Sequence, residues 1–91
     1  MKEVIRTVRI VNRLGLHARA AAKLVHTASA FQARIFLERN GEEVDAKSLL
    51  GILTLAGALG SYITIRAVGA DAREAVEALA TLIARKFDEE E

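Results

Sequence analysis

The sequence predicts an α+β fold in which a four-stranded antiparallel sheet is covered on one face by three helices. Its 91 residues suit one small domain, spanning residues 1–91. Apolar residues alternate in some short segments and recur at helical spacing in others, which gives the order β-α-β-β-α-β-α. Because these elements are amphipathic, one sheet with helices on a single face is the simplest arrangement that buries every apolar side.

The first strand and the first helix are predicted within residues 3–29. Residues 3–11, EVIRTVRIV, are rich in β-branched residues and alternate loosely, as a half-buried strand does. A loop over residues 12–16 contains Gly15, and residues 18–29 then place apolar side chains at helical spacing. The apolar stripe of this helix consists of Ala21, Leu24, Val25 and Ala28.

A β-hairpin is predicted next, followed later by the fourth strand. Residues 33–39 and 43–46 are typical of strands, and Asn40-Gly41 between them is the strongest short hairpin signal, because both positions tolerate positive φ. Residues 62–68, YITIRAV, alternate again and predict the last strand of the sheet.

The final helix begins at a predicted capping box, Asp71 to Glu74. Its helical spacing predicts a buried stripe made of Val76, Leu79, Leu82 and Ile83. The acidic residues 88–91 that follow are predicted to form a solvated tail.

The segment from Ser48 to Leu59 carries no charged residue. A helix that is apolar all round is either fully buried or carries an interaction surface, and a chain of this size has little room to bury one. We expect Ile52, Leu55 and Leu59 to pack inward. An exposed patch for a partner would then be formed by Leu49, Leu50 and Leu53. The alternative is a short core helix.

Composition excludes several classes of function. Hydrophobic residues make up 52% of the chain, which argues against disorder, and the absence of Cys excludes disulfides and thiol chemistry. A net charge of +1 and only four aromatic residues disfavour nucleic-acid binding. No apolar run is long enough to span a bilayer, so no membrane insertion is expected. The expected location is cytoplasmic.

His17 and Arg19 lie where the first helix is predicted to begin, and cations are disfavoured there because the helix macrodipole is already positive. Unsatisfied N–H groups, those of Ala18 and Arg19, would point outward and form a general anion site. A neutral imidazole is nucleophilic, and a phosphoryl group attached to it would be a dianion that these donors and the guanidinium stabilise. The pattern therefore predicts a site that handles a transferable anion.

A blander interpretation stays open, in which a helix start carries these two side chains by chance, since Arg is a good helix former. His26 lies on the opposite side of the predicted helix and is interpreted as a surface residue, so it cannot share a metal with His17. No metal-ligand spacing or nucleotide-binding loop is present, and no cofactor or metal is expected. Ser48 is expected to be a helix N-cap, where a phosphate would also suit the helix dipole.

Two segments resemble a known family. Residues 15–19, GLHAR, are similar to the active-site segment of HPr, the histidine-containing phosphocarriers of the bacterial sugar phosphotransferase system. Residues 47–56, KSLLGILTLA, resemble the second signature of that family, around its regulatory serine. Asn40-Gly41 and residues 61–68 also sit where the family has its hairpin and last strand, so the resemblance covers essentially the whole chain. It implies an open-faced β-sandwich with four antiparallel strands under three helices.

The resemblance implies a role for each matched residue. His17 would accept a phosphoryl group on Nδ1 from enzyme I, itself charged by phosphoenolpyruvate, and pass it to enzyme IIA components, which makes the chain a carrier rather than an independent enzyme. Arg19 would stabilise the phosphoryl group and contact partners. Ser48 would be the target of an HPr kinase/phosphorylase where the host has one. The docking surface for enzyme I and enzyme IIA would be Leu49, Leu50 and Leu53, and a monomer is expected.

The chain departs from the family at Ala20, where HPr proteins normally have proline. Proline would pre-set φ in the first helical turn, whereas alanine leaves φ free but favours the helix. We therefore expect a slightly softer site that still transfers. Two other functions stay open: a regulatory binding module of the system, nitrogen-related or kinase-controlled, and a small-ligand-binding sandwich of the ferredoxin-like type.

Overall fold

The predicted order of strands and helices is confirmed in the computed structural model, which describes residues 2–89. The elements are β1 (Glu3–Arg9), α1 (Ala18–Ser29), β2 (Arg34–Arg39), β3 (Glu42–Asp45), α2 (Leu49–Thr54), β4 (Tyr62–Val68) and α3 (Ala72–Ala84). A short turn with left-handed φ values, Lys86–Asp88, follows α3.

The four strands form one antiparallel sheet in the order β1-β4-β2-β3. Strand β4 is central, because its residue Val68 pairs with Glu3 of β1 on one side and with Arg34 of β2 on the other. Alternate residues of the strands point to one face, where they are almost completely buried. These inward residues include Ile35, Leu37, Ile63, Ile65 and Ala67.

The helices cover that face with apolar stripes close to those predicted. In α1 the predicted Ala21, Leu24 and Ala28 are buried together with Ala20, whereas the predicted Val25 is half-buried and packs against the core; the bounds of α1 are the predicted ones. In α3 the predicted stripe is buried, with Val76 and Leu79 fully enclosed and Leu82 and Ile83 nearly so. Burying these stripes against the sheet supplies the main free energy that holds the fold together.

The turn between β2 and β3 is the predicted Asn-Gly hairpin. Asn40 and Gly41 have φ of 53° and 84°, the left-handed conformation that a two-residue turn of this kind needs. The flanking residues Arg39 and Glu42 pair directly across the hairpin.

The apolar segment after Ser48 differs from the prediction in two ways. Helix α2 has only six residues, because Leu55 is its C-cap and Ala56 adopts a left-handed φ of 51°. Ile52 and Leu55 pack inward as predicted, but the prediction for Leu59 is wrong, since its side chain is 55% exposed. Leu59 lies beyond the helix, so helical spacing no longer sets the direction of its side chain.

The start of α3 also differs from the prediction. Asp71 is the N-cap residue, but its carboxylate makes no capping hydrogen bond to α3. It accepts hydrogen bonds instead from the backbone N–H groups of Gln32 and Ala33, at 2.9 and 2.8 Å. These bonds outweigh partial burial, and the pKa of Asp71 lies below its ordinary value. Asp71 therefore ties the α1–β2 loop to α3.

The predicted solvated tail is wrong at Glu89. Asp88 is exposed, but the Glu89 side chain is 18% exposed and contacts the first half of the chain. Glu90 and Glu91 lie outside the described residues. Within residues 2–89, no helix is both long and apolar enough to cross a membrane.

Candidate functional site

The loop between β1 and α1 is held by a close approach of two glycines. Gly15 has a φ of +66°, and a Cβ atom there would lie 2.4 Å from the carbonyl oxygen of Gly57. The next residue, Leu16, donates its N–H to the same oxygen at 2.8 Å. Only glycine fits this position without moving the backbone. The approach fixes the point at which α1 begins and the position of the residue that caps it.

His17 is the N-cap of α1, and its imidazole performs the capping. Its backbone is extended, with φ −72° and ψ 174°, and its carbonyl oxygen accepts the N–H of Ala21 at 2.9 Å. Nδ1 accepts the N–H of Arg19 at 3.2 Å. Ser, Thr, Asp or Asn usually fills this role. A basic, nucleophilic nitrogen therefore faces the donor end of the helix, whose first turn contains no acidic residue.

The other ring nitrogen of His17 contacts a carboxylate. Nε2 forms a hydrogen bond with Oε2 of Glu89, while Oε1 of Glu89 accepts from Nδ2 of Asn12 at 3.0 Å. The His17 side chain remains 26% exposed, so a partner can still reach it. Burial alone would raise the pKa of the Glu89 carboxyl, but the hydrogen bonds from His17 and Asn12 outweigh it and hold this pKa below its ordinary value.

Asn12 connects this carboxylate to the loop. The Asn12 side chain is fully buried, and Nδ2 also donates to the carbonyl oxygen of Gly15 at 2.9 Å. Its Oδ1 has no hydrogen-bond partner within residues 2–89. A buried amide with both of its N–H groups engaged has a fixed orientation, so Asn12 fixes the position of the Glu89 carboxylate relative to the loop.

Two cations lie on the exposed side of α1 next to the site. Arg19 is exposed in the first turn, within reach of a group bound at the helix N-terminus. Lys23, one turn further on, donates from Nζ to the carbonyl oxygen of Phe87 at 2.5 Å. His26 is exposed, as predicted, and lies further along the same helix. No cluster of metal-binding side chains occurs in the part of the chain that the structure describes.

Ser48 lies at a second helix N-terminus. It is the N-cap of α2, as predicted, and its Oγ accepts the N–H of Gly51 at 3.1 Å. Its side chain is half-buried. No carboxylate among the described residues makes a hydrogen bond to Ser48 Oγ.

The predicted leucine patch is only partly exposed. Leu50 is 75% exposed and Leu49 42%, whereas Leu53 is half-buried and packs against the core. The prediction that Leu53 is an exposed member of the patch is therefore wrong in part. Leu53 lies one turn after Leu49, on the side of the short helix that turns towards the interior.

The sequence did not predict three contributors to the site, namely Asn12, Lys23 and Glu89. The sequence predicts a loop at Asn12, and no local pattern marks this residue as buried. Glu89 lies 72 residues from His17 along the chain, in a segment whose acidity is typical of a solvated tail. Only the path of the chain after α3 brings it to the imidazole.

Comparisons with known proteins agree with this geometry. A sequence model described as "PTS HPr component phosphorylation site" matches residues 4–85. The phosphocarrier protein HPr of Cupriavidus necator is 48% identical over 86 residues, which cover 94% of this chain and 97% of that protein. The phosphocarrier protein NPr of Shewanella violacea is 44% identical over 98% of each chain. A crystal structure of HPr from Thermoanaerobacter tengcongensis superimposes with a TM-score of 0.91, at 46% identity and with both chains fully covered.

Proposed function

The chain belongs to the HPr family, the phosphocarriers of the phosphotransferase system, and from this premise we propose the route by which it carries phosphoryl groups. It is a carrier rather than an enzyme in its own right. His17 takes the phosphoryl group from phosphorylated enzyme I, which phosphoenolpyruvate has charged, and passes it to enzyme IIA components of sugar uptake. The transfer takes place in the cytoplasm.

The observation that carries this proposal is the position of Nδ1 of His17 at the N-terminus of α1. Its hydrogen bond from the Arg19 N–H is long, at 3.2 Å, and is easily given up when the nitrogen attacks phosphorus. The new phosphoryl group then lies against the N–H groups of Ala18 and Arg19 and beside the Arg19 guanidinium. The positive helix end disfavours cations in the free protein, but it stabilises this dianion.

Such a small site is sufficient for phosphoryl transfer. The reaction passes through a loose transition state that needs positioning and charge stabilisation more than covalent assistance. Imidazole serves as both nucleophile and leaving group, so one residue can act in both directions. The larger donor and acceptor proteins supply the remaining groups when they dock.

The docking surface in this proposal is the leucine patch of α2. Leu49 and Leu50 are exposed, and Leu53 forms its half-buried border. Leu16, which precedes His17, is hydrogen-bonded to Gly57 just after α2. A partner that covers the leucines therefore also reaches the imidazole, and both enzyme I and enzyme IIA components use the same face.

Ser48 is the proposed site of regulation by an HPr kinase/phosphorylase. Its Oγ already faces the N–H of Gly51, and a phosphate there would be stabilised by the same donors. It would also place two negative charges next to the leucine patch and weaken apolar docking. The regulatory binding module is the alternative function, in which this modification and the leucine patch matter and transfer by His17 is vestigial.

Labelling with enzyme I and phosphoenolpyruvate tests the proposal. We expect an acid-labile adduct of ~80 Da, the mass of the added phosphoryl unit, on His17. The matched control is the second histidine of α1: His26→Ala should label like the wild type, whereas His17→Ala should not label. Equal labelling of His17→Ala would refute the carrier function. A kinase that labels Ser48 while enzyme I leaves His17 unlabelled would favour the regulatory module.

A further inference from the structure

The segment after α3 places an acidic side chain on the reactive imidazole. We call residues Lys86–Glu89 the C-terminal turn. Three consecutive residues in it, Lys86, Phe87 and Asp88, have left-handed φ values of 59°, 56° and 63°. Lys86 and Phe87 are residue types that rarely adopt this conformation, and only Asp88 is of a type that tolerates it, so contacts must hold the run. The run reverses the chain and directs Glu89 back towards α1.

Two contacts hold the C-terminal turn. The Phe87 side chain is fully buried in the core, and its carbonyl oxygen accepts a hydrogen bond from Lys23 of α1. Burial of a phenylalanine ring is among the largest single contributions that a side chain makes to stability. The position of Glu89 is therefore restrained, because Phe87, two residues earlier, is buried in the core.

The Glu89 carboxylate matches its two donors. One oxygen faces Nε2 of His17 and the other accepts from Nδ2 of Asn12. A carboxylate has two acceptor oxygens, whereas the isosteric amide of glutamine has one acceptor and one donor group. As long as Nε2 is protonated, glutamine at this position could satisfy only one of the two neighbours. The site is thus complementary to a carboxylate when the imidazole is in this tautomer.

The two hydrogen bonds of the imidazole specify one tautomer. Nδ1 accepts the N–H of Arg19, so in the neutral ring the proton lies on Nε2. Nε2–H then donates to Glu89, whose ionised carboxylate has acceptor oxygens and no donor. Nδ1 is left with its lone pair directed at the helix end, where the proposed phosphoryl group binds.

Taking the carrier function above as its basis, we propose that Glu89 is a positioning residue for phosphoryl transfer. It holds His17 in the tautomer with a free Nδ1, and it balances the positive charge that the ring acquires in the reaction. A carboxylate that orients a histidine and stabilises its imidazolium is a known catalytic arrangement. In this chain the carboxylate comes from the C-terminal turn.

The charge balance of the step explains why a carboxylate is useful. The Nδ1 lone pair attacks phosphorus and forms the N–P bond, while the bond from phosphorus to the donor breaks and its electron pair stays with the donor. The ring keeps the proton on Nε2 and becomes formally cationic, next to Glu89. On transfer to the acceptor, the N–P bond breaks and its electron pair returns to Nδ1. No proton has to enter or leave the ring.

The test uses Glu89→Gln and a matched control, Asp88→Asn. Both substitutions remove one negative charge from the C-terminal turn without a change of size, but Asp88 is exposed and pairs with Arg85. Potassium phosphoramidate, a small phosphoryl donor, charges the protein without a partner, and phosphorylated enzyme I charges it with one. Nitrogen-15 spectra of the His17 ring report its tautomer. Urea unfolding checks that both variants are folded.

We expect Glu89→Gln to be charged about tenfold more slowly by either donor, the loss of one charge-assisted hydrogen bond. With enzyme I the loss should appear in kcat and not in KM, and the Nδ1 signal should shift towards that of a protonated nitrogen. Asp88→Asn should stay within about twofold of the wild type, as an exposed charge does.

Equal rates for the two variants, or an unchanged tautomer in Glu89→Gln, would overturn the proposal. Faster charging of Glu89→Gln would also overturn it, because it would mean that the carboxylate shields the ring. Failure of the carrier function gives a different result, namely wild-type protein that phosphoramidate charges at His17 and that enzyme I does not.

Discussion

The N-termini of α1 and α2 are capped in the same way but are surrounded differently. His17 and Ser48 each have extended backbone, and each side chain accepts an N–H from the first turn of its helix, at 3.2 and 3.1 Å. Around Ser48, capping is local, because its partner is Gly51. Around His17, Glu89 contacts the imidazole and Gly57 contacts the preceding residues Gly15 and Leu16, and both lie far along the chain.

This difference indicates that an N-cap side chain needs partners from distant parts of the chain before it can serve as a reactive site. A hydroxyl cap needs only the first turn of its helix, and a short sequence motif encodes it completely. An imidazole that must stay in one tautomer needs a second partner on the opposite side of its ring. Here that partner is Glu89, and it depends on the buried ring of Phe87.

The largest expected effect comes from replacing His17 with a residue that can still cap α1 but is not a nucleophile. Asn is a strong N-cap residue, so His17→Asn should change the free energy of unfolding by less than about 1 kcal/mol. Phosphoryl transfer should fall by more than about a thousandfold, because the nucleophile is lost. Ser48→Ala should show the reverse pattern, with about 1 kcal/mol lost and transfer retained. Urea unfolding and enzyme I labelling measure the two quantities.

The second effect concerns Phe87, which anchors the C-terminal turn and supports the His17 site but not the Ser48 site. Phe87→Ala should lower the free energy of unfolding by about 3 kcal/mol, since it empties a fully buried site. Phe36→Ala, on the half-exposed face of the sheet, should cost less. Charging of His17 by phosphoramidate should slow in Phe87→Ala but not in Phe36→Ala. If both variants slowed equally, general loosening of the fold would explain the effect.

The third effect compares the glycines nearest the two caps. Gly15→Ala should cost about 2 kcal/mol, because its φ is left-handed and its Cβ would clash with a backbone oxygen. In Gly51→Ala, the added Cβ meets Ser48 and Val44 side chains at 3.2 Å, and the better helix propensity of Ala offsets this, so the change should stay within about 1 kcal/mol. Thermal or urea unfolding decides between equal and unequal costs.

The smallest effect is on the pH dependence of stability. The pKa of Glu89 in the folded protein lies below its ordinary value of 4.5. The unfolded chain therefore binds more protons in the acidic range, and the stabilisation from Glu89 is complete above that ordinary value and is lost as the pH falls through the folded value. The stability difference between wild type and Glu89→Gln should accordingly shrink in acid. The difference between wild type and Ser48→Ala should not change with pH, since Ser48 does not titrate.

The regular elements were predictable because their signals are local. The alternation in β4, the stripe of α3 and the Asn40-Gly41 turn each depend on neighbouring residues, and their bounds agree with the structure within a residue or two. The position of His17 as a helix cap was predictable for the same reason.

Two of the misses, Asp71 and Glu89, involve side chains whose partners lie far away in sequence, and the third, Leu59, follows an early helix end. Asp71 fits a capping box, but its carboxylate accepts hydrogen bonds from the backbone N–H groups of Gln32 and Ala33 in the α1–β2 loop and makes none to α3. Leu59 fits a helical stripe, but the backbone leaves the helix at Ala56. Glu89 fits a solvated tail, and only the left-handed run of Lys86, Phe87 and Asp88 brings it back to the imidazole. Asp88 alone tolerates that conformation, and one aspartate is too weak a signal to predict the reversal.

The left-handed run also has a dynamic consequence. A segment with an unfavourable backbone, held by one buried ring and a few hydrogen bonds and ion pairs, can open while the sheet stays intact. We expect the amide hydrogens of residues 86–89 to exchange with solvent well before those of α3 and β4. Each such opening would free the imidazole from its carboxylate for a moment without any global unfolding. The time for which the His17 imidazole keeps its fixed orientation is then set by the opening of the C-terminal turn and not by the stability of α1.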